Sequence, residues 1–405
     1  MNRIFRDITL WIRVLIAATF IFSAISKAVD PVGGQLKIEE YLNAWGLNFL
    51  SPISLTICFI QIAAEALLGF SLLYKIFIKK VSVISIVVMS IFTLLTLYIT
   101  LTDSVSDCGC FGEIVNLSNR QTFFKNIILL LLTLIIWSIY RKTSLQTTIK
   151  SIITAIIFSG IILWGAIWSH QNLPLIDATN LCSGTNIPQS MEIPDNAQMD
   201  RFRTELHYRN IATGKIHIFN EQDTTWWDSS KWEFVDTRSI LVEKGFRPEI
   251  ENFKIFDNRG EVTDSLFNLN DVIVLTIRDL SALTPHTIES LKSAEQFALN
   301  NKLNCILLTC DPAVETTTIF TVPTFRIDAT TLKTLLRTTT GIILLNNGTI
   351  EAKWSIRNMP DWNNFNSDLK EFAQRYAAQR EVFPLILVLI FIVLIATSYK
   401  YVTNK

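Results

Sequence analysis

Six apolar stretches, each close to twenty residues long, run through this chain and decide its architecture before any other feature. They are Leu10–Ala28, Ile53–Leu73, Val81–Leu101, Phe123–Tyr140, Ile152–Trp168 and Val382–Tyr399. About 20 apolar residues in a helix cross a hydrocarbon core. Backbone groups in lipid are satisfied only inside helices or closed barrels, so these stretches read as transmembrane helices. The chain also has 36 basic and 36 acidic residues, far more than six spans can hold. A large water-facing part is therefore expected. The even charge balance gives no sign of a nucleic-acid partner, and the lipid bilayer is the one partner the composition names.

Basic residues gather between the spans. Arg3, Arg6 and Arg13 flank the first, and Lys75, Lys79 and Lys80 fill the gap after the second. Arg141, Lys142 and Lys150 follow the fourth, and Lys400 and Lys405 close the sequence. All four groups fall on one side if each span crosses once, which is the positive-inside pattern. The expectation is an inner (cytoplasmic) membrane protein with both termini cytoplasmic and residues 171–380 periplasmic. The start also has the look of a cleaved signal peptide. It is read as a span, because removing it reverses the count of crossings.

Between the third and fourth spans lies Asp107-Cys108-Gly109-Cys110-Phe111-Gly112. Two thiols one residue apart can form a tight, strained disulfide, and such bonds tend to be labile, regulatory or catalytic. Gly109 permits the backbone angles that such a pair needs. The alternative is a pair of packing cysteines in a loop. Asp107 and Glu113 flank the pair, and their negative charge raises thiol pKa unless Lys27 or Lys125 lies close. Glu65 sits in mid-span, Lys27 ends the first span and Lys125 opens the fourth. Charges inside a membrane usually have a partner or a function. A structural ion pair of Glu65 with Lys27 or Lys125 is the simpler reading, and a proton relay or quinone headgroup contact the sharper one.

These residues carry a family resemblance. Phe20, Ser23, Ser26, Lys27, Asp30 and Pro31, followed by Lys37, Glu40 and Tyr41, resemble the first-span signature of the DoxX/MauE four-helix membrane proteins. Glu65, the Cys108–Gly112 run and the Phe124-Lys125-Asn126 entry to the fourth span are similar to the MauE branch. The resemblance covers about residues 8–142. It implies a redox context at the membrane: some members are described as quinone-linked oxidoreductase subunits, and MauE as a helper in maturing disulfide-rich enzymes. A quinone is the one cofactor it brings into view.

Beyond the fifth span, residues 171–200 carry turn formers without helical period. Residues 205–219 read as two strands around a turn containing Gly214, with more β structure at 232–235 and 240–242. His207 and His217 lack further ligands at metal spacing and read as strand residues. From Pro248 the order of elements resembles a thioredoxin-like domain of the peroxiredoxin/TlpA kind. Residues 252–263 suggest strand, turn and strand, and Asp271–Ile277 a buried strand. Thr284-Pro285 suits the start of a helix reaching Asn300, and Asn304–Cys310 reads as the next strand. Gly341–Glu351 reads as a hairpin turning at Asn347-Gly348. A last helix from Asp361 carries Trp362, Phe365, Leu369, Phe372 and Tyr376 on one stripe. The segments are thus 1–145, a four-helix membrane domain; 146–170, a fifth transmembrane helix; 171–248, a linker with a β-rich extension; 249–380, the thioredoxin-like domain; and 381–405, the last transmembrane helix.

That domain departs from a working thioredoxin where it matters. A Cys-x-x-Cys belongs before the helix N-terminus, where the dipole favours thiolate. The stretch Arg278–Thr284 has no cysteine, and Thr339-Thr340-Gly341 stands where a cis-proline is expected. Cys305 and Cys310 lie on opposite faces of a predicted strand, too far apart to bridge unless the strand ends first. Cys58 reads as a small hydrophobe inside a span. Cys182, just beyond the fifth span, is a candidate exchange thiol or a bystander.

Two function classes follow. In the first, Cys108 and Cys110 cycle between dithiol and disulfide with a periplasmic thiol protein or a quinone, and the degenerate domain is a docking module. In the second, the chain is a non-catalytic scaffold or assembly factor. A transporter ranks last, since no internal repeat is visible.

Overall fold

The computed structural model describes residues 3–403 except 103, 106, 113, 116, 143–145, 244, 313–318 and 366, so Glu113 lies outside the described residues. The membrane part is built from α1 (Arg3–Val29), α2 (Pro31–Ala44), α3 (Ser54–Leu73), α4 (Ile78–Thr102), α5 (Asn119–Tyr140) and α6 (Ile149–Gln171). Among the described residues five helices, all of these except α2, are long and apolar enough to cross a membrane. Helix α1 packs mainly on α3, α4 on α5, and α6 on α3 and α1. Gly69 makes the first crossing possible: a Cβ there would stand 2.6 Å from Ile21 Cγ1 and 3.1 Å from the Ala17 carbonyl oxygen. Small residues at membrane helix crossings allow this close backbone approach. The outward face stays apolar, with Ile84, Val87, Ile91 and Leu94 of α4 exposed, as a lipid-facing surface requires.

Arg13 is not a flanking residue. It is fully buried, and its guanidinium donates to the Leu72 and Leu73 carbonyls at 2.7 and 2.6 Å. The last carbonyls of a helix have no partner within it. Arg13 supplies one for α3, placing a cation where the helix dipole favours it.

The chain divides into two compact units, Ile187–Phe253 and the remainder. The smaller holds a short helix α7 (Ile187–Met191) and an antiparallel sheet, ordered β2-β1-β3, of β1 (Arg201–Asn210), β2 (Ile216–Asn220) and β3 (Trp232–Glu243). Gly214 turns β1 into β2 with a φ of 68°. His207 and His217 lie in β1 and β2, and His217 packs edge-on against Trp232. The two stretches expected at 232–235 and 240–242 are one continuous strand.

The larger unit adds an α/β region to the membrane helices. Its elements are β4 (Ile255–Phe256), α8 (Thr263–Phe267), β5 (Val272–Ile277), α9 (Pro285–Asn300), β6 (Asn304–Thr309), β7 (Thr324–Ile327), α10 (Ala329–Leu335), β8 (Thr340–Asn346), β9 (Thr349–Ser355) and α11 (Leu369–Thr403). The sheet runs β4-β7-β6-β5-β8-β9, with β5 parallel to β6 and antiparallel to β8. The inner order β6-β5-β8-β9, with α9 as crossover, is the thioredoxin-like arrangement that the sequence suggests. Strand β5 is buried throughout, as its unbroken apolar run implies. Thr284 caps α9 by accepting from Thr287 N–H, with Pro285 at the first turn. Asn347 and Gly348 both have positive φ, 47° and 70°, in the tight turn of the β8–β9 hairpin.

Three expectations are corrected. The second strand after residue 252 is only a single bridge, Phe256 to Glu261, because the chain enters α8. The helix expected from Asp361 begins at Leu369, after a short 3-10 turn at Trp362–Asn364. Strand β6 ends at Thr309, so Cys310 lies beyond it. The sixth expected span, Val382–Tyr399, falls within α11, where part of the side chains lies outside the described residues. Its Phe391 meets Phe70 and Phe158, and its Tyr399 hydroxyl accepts from Arg13 at 3.2 Å.

The α/β region is held to the membrane part by ion pairs. Arg337 meets Asp30 at 2.9 Å, Lys333 meets Glu39 at 2.9 Å, and Lys353 meets Asp177 at 2.7 Å. Arg357 donates to Gln171 at 2.6 Å. The loop before β8, where a thioredoxin would hold its substrate, instead carries Arg337 onto the α1–α2 joint.

Candidate redox site

The site is built on the loop between α4 and α5. A capping box starts α5: Ser118 accepts from Gln121 N–H, and the Gln121 side chain accepts from Ser118 N–H. Asn119 reaches back to the Val105 carbonyl at 2.9 Å, tying the loop to that helix start. Gly109 and Gly112 have φ of 63° and 57°, the left-handed region that favours glycine. A Cβ on Gly109 would stand 2.8 Å from the Lys37 stem. The spelling Cys108-Gly109-Cys110-Phe111-Gly112 thus follows from a loop that doubles back beneath α2.

This fold turns the two sulfurs toward each other at 2.7 Å. Cys108 is buried and Cys110 half-buried. The Cys110 carbonyl accepts from Lys27 Nζ and Ser23 Oγ, each at 2.7 Å. Lys27 is buried beside Glu65, with Nζ 3.1 and 3.2 Å from the two carboxylate oxygens, and also donates to Ser23 Oγ. Gln61 donates to Glu65 at 3.0 Å. The membrane charge pair is therefore Lys27 with Glu65, in direct contact with the loop through Lys27. Lys125 takes a different place: its Nζ lies 4.0 Å from the centre of the Phe111 ring.

The flanking carboxylate is neutralised from another direction. Lys37 on α2 pairs with Asp107 at 2.6 Å and with Glu40 at 3.1 Å. Tyr41, one turn along the same helix, donates to the Cys108 carbonyl at 3.1 Å. These arrangements split the two thiols. The Cys110 thiol is drawn down to about 7, first by the hydrogen bond from Cys108, with Lys125 and Lys27 adding to it against the opposing effect of burial. The Cys108 thiol is pushed well up, because it is the donor in that bond and is buried. The two thiols titrate as a pair, and Cys110 is the one that ionises first.

An apolar cavity of about 280 Å³ opens beside the pair, between Phe20, Met89 and Phe92. Its polar lining includes Ser23, Lys27, Lys37, Tyr41, Glu65 and Lys125, together with Gln61, Asn126 and both cysteines. Asn126 also holds α5 to α4 through Thr96 Oγ1 at 3.3 Å. Cys182 does not join this site. It lines a separate cavity with Asp177, Lys353 and Arg380, its sulfur 3.4 Å from Thr185 Oγ1. Cys58 is fully buried against Gly34 of α2. Cys305 is packed in the α/β core with its thiol pushed up to about 12 by burial, and Cys310 contacts the Arg278 carbonyl at 3.5 Å. Among the described residues no group of His, Cys, Asp and Glu is assembled to hold a metal ion.

Sequence reasoning named Cys108, Cys110, Lys27, Glu65, Lys125 and Cys182 as site residues; it met Lys37, Tyr41 and Asn126 only as part of the family signature, and gave Gln61 no role. The spacing of Lys37 and Tyr41, one turn apart after the Asp30-Pro31 helix start, was the available signal.

Comparisons with known proteins bear on the membrane domain. Residues 6–140 match the family described as methylamine utilisation protein MauE. The chain is 30% identical over 136 residues to "Protein TlpB" of Flavobacterium psychrophilum, an alignment of 33% of this chain. It spans 37% of the length of that relative. No solved structure matches. Over residues 6–140 the membrane domain is therefore of the MauE type.

Proposed function

We propose that Cys108 and Cys110 form a thiol–disulfide exchange centre in the membrane domain, and that the thioredoxin-like domain is a non-catalytic docking module. The observation that carries this is the pairing of the two sulfurs at 2.7 Å, with Cys110 lowered by the hydrogen bond from Cys108 and further by Lys125 and Lys27. A thiolate near neutral pH is the reactive form in exchange. In the oxidised protein, a thiolate of a partner dithiol attacks one sulfur of the Cys108–Cys110 disulfide and forms a mixed disulfide. The second partner thiolate displaces it. The partner leaves as a disulfide, and two electrons and two protons pass to the pair. Lys27 and Lys125 favour the Cys110 thiolate as leaving group.

The cavity suits a quinone headgroup: it is apolar, it touches the pair, and Gln61, Lys125 and Asn126 offer donors on its wall. A quinone there would take up the two electrons and two protons of the reduced pair. Glu65 and Lys27 stand where protons leave the thiols. The side-consistent basic groups favour an inner-membrane placement with both termini cytoplasmic and residues 171–380 periplasmic.

The test is capture. Cys108→Ser and Cys110→Ser variants, produced in cells, are alkylated and searched by mass spectrometry for a mixed disulfide on the remaining cysteine. A partner held in one variant and lost in the double variant supports exchange. No adduct in either, with both cysteines fully reduced in wild type, returns the chain to the scaffold reading.

A further inference from the structure

We propose that α2 couples the docking of the thioredoxin-like domain to the reactivity of the Cys108–Cys110 pair, with Lys37 and Tyr41 as positioning residues. The inference rests on the redox reading above. Two sets of contacts meet on this 14-residue helix. Toward the loop, Lys37 holds Asp107, its stem covers Gly109, and Tyr41 holds the Cys108 carbonyl. Toward the α/β region, Glu39 pairs with Lys333, and Asp30, the cap of α2, pairs with Arg337. Arg337 is only 2% exposed, so its charge depends on Asp30. Asp30 also accepts from Gly33 N–H at 2.9 Å and so fixes the start of the helix.

A helix this short moves as one body. If Lys333 and Arg337 release it, α2 is left to its packing on α3 and the neighbouring helices, and in this proposal Lys37 and Tyr41 shift over the loop. Asp107 then loses its cation, and a bare carboxylate next to Cys108 disfavours thiolate in the pair. The groups that face Cys110 are Cys108 and Asp107 on its own loop, Lys27 on α1, Lys37 and Tyr41 on α2, Glu65 on α3 and Lys125 on α5. Of these, Lys37 and Tyr41 sit on the helix whose Asp30 cap and Glu39 are tied to the α/β region. A domain without a Cys-x-x-Cys at its β5–α9 turn thereby acquires a role: its docked position keeps the membrane pair reactive.

The experiment uses the full-length chain in membranes and follows the pH profile of Cys110 alkylation after reduction. Lys333→Glu is expected to slow labelling at neutral pH by roughly threefold or more and to move the profile to higher pH. Adding Glu39→Lys, which restores the pair with reversed sign, is expected to return the rate to within about twofold of wild type. Lys37→Met, which leaves the domain contacts untouched, should shift the profile in the same direction, and Lys37→Arg should not. The inference is overturned if Lys333→Glu leaves the profile in place, or if Lys37→Met does. If the wild-type pair does not react at any pH, it is the redox reading itself that fails.

Discussion

Two turns in this molecule have the same local design and opposite chemistry. The turn between β5 and α9 has the form of a thioredoxin active site: a buried strand, a cap at Thr284, Pro285 and a 16-residue helix. It has no thiol. The loop between α4 and α5 also leads into a capped helix; it carries two cysteines and two left-handed glycines, and the buried Lys27 of α1 donates to it. A capped helix follows each turn. Only the second carries thiols. The fold therefore does not locate the function; the side chains grafted on it do.

That contrast can be broken by changing one region and watching both. The largest effect is expected from Lys27→Met. It leaves Glu65 buried at 2% exposure without its cation, and breaking a buried pair costs about 3–5 kcal/mol. Thermal unfolding in detergent should show it, with a double Lys27→Met, Glu65→Leu variant closer to wild type. Gly109→Ala comes next. Left-handed backbone costs about 1–2 kcal/mol for an alanine, and the new Cβ must also displace the Lys37 stem. The same melting curve should fall less, while reactivity of the pair is lost. Thr284→Ala removes only the α9 cap, worth about 1 kcal/mol. It should soften the α/β region in hydrogen exchange and leave the cysteine pair unchanged.

Much of this was legible in the chain. Hydropathy marks the spans because lipid leaves a helix few alternatives, and Thr284-Pro285 and Asn347-Gly348 act through local geometry alone. The Cys-Gly-Cys pair was visible for the same reason. What could not be read were contacts set by packing over long separations. Arg13 looked like a flanking charge until α3 presented its last carbonyls to it. Glu65 could have paired with either lysine, and the crossing of α1 on α3 chose Lys27. Lys333 and Arg337 belong to no motif, so their hold on α2 had no sequence signal.

The smallest effect sharpens the same comparison. Deprotonation makes Cys110 reactive, so its labelling rate should rise about tenfold per pH unit below its pKa of about 7 and level off above it. Lys125→Met removes a cation that favours the thiolate, so the midpoint should move up by a fraction of a unit to about one unit. Cys305, raised by burial to about 12, should stay unlabelled across that range.

The central claim is that the membrane pair, and not the thioredoxin-like domain, carries the redox chemistry. Its most direct test is an alkylation-shift assay on the full-length chain in membranes taken through oxidant and then reductant. The account predicts a reversible shift of two labels, abolished by Cys108→Ala with Cys110→Ala and unaffected by replacing Cys305 and Cys310. A labelling pattern that stays the same through the cycle, or a shift that survives loss of Cys108 and Cys110, would contradict it.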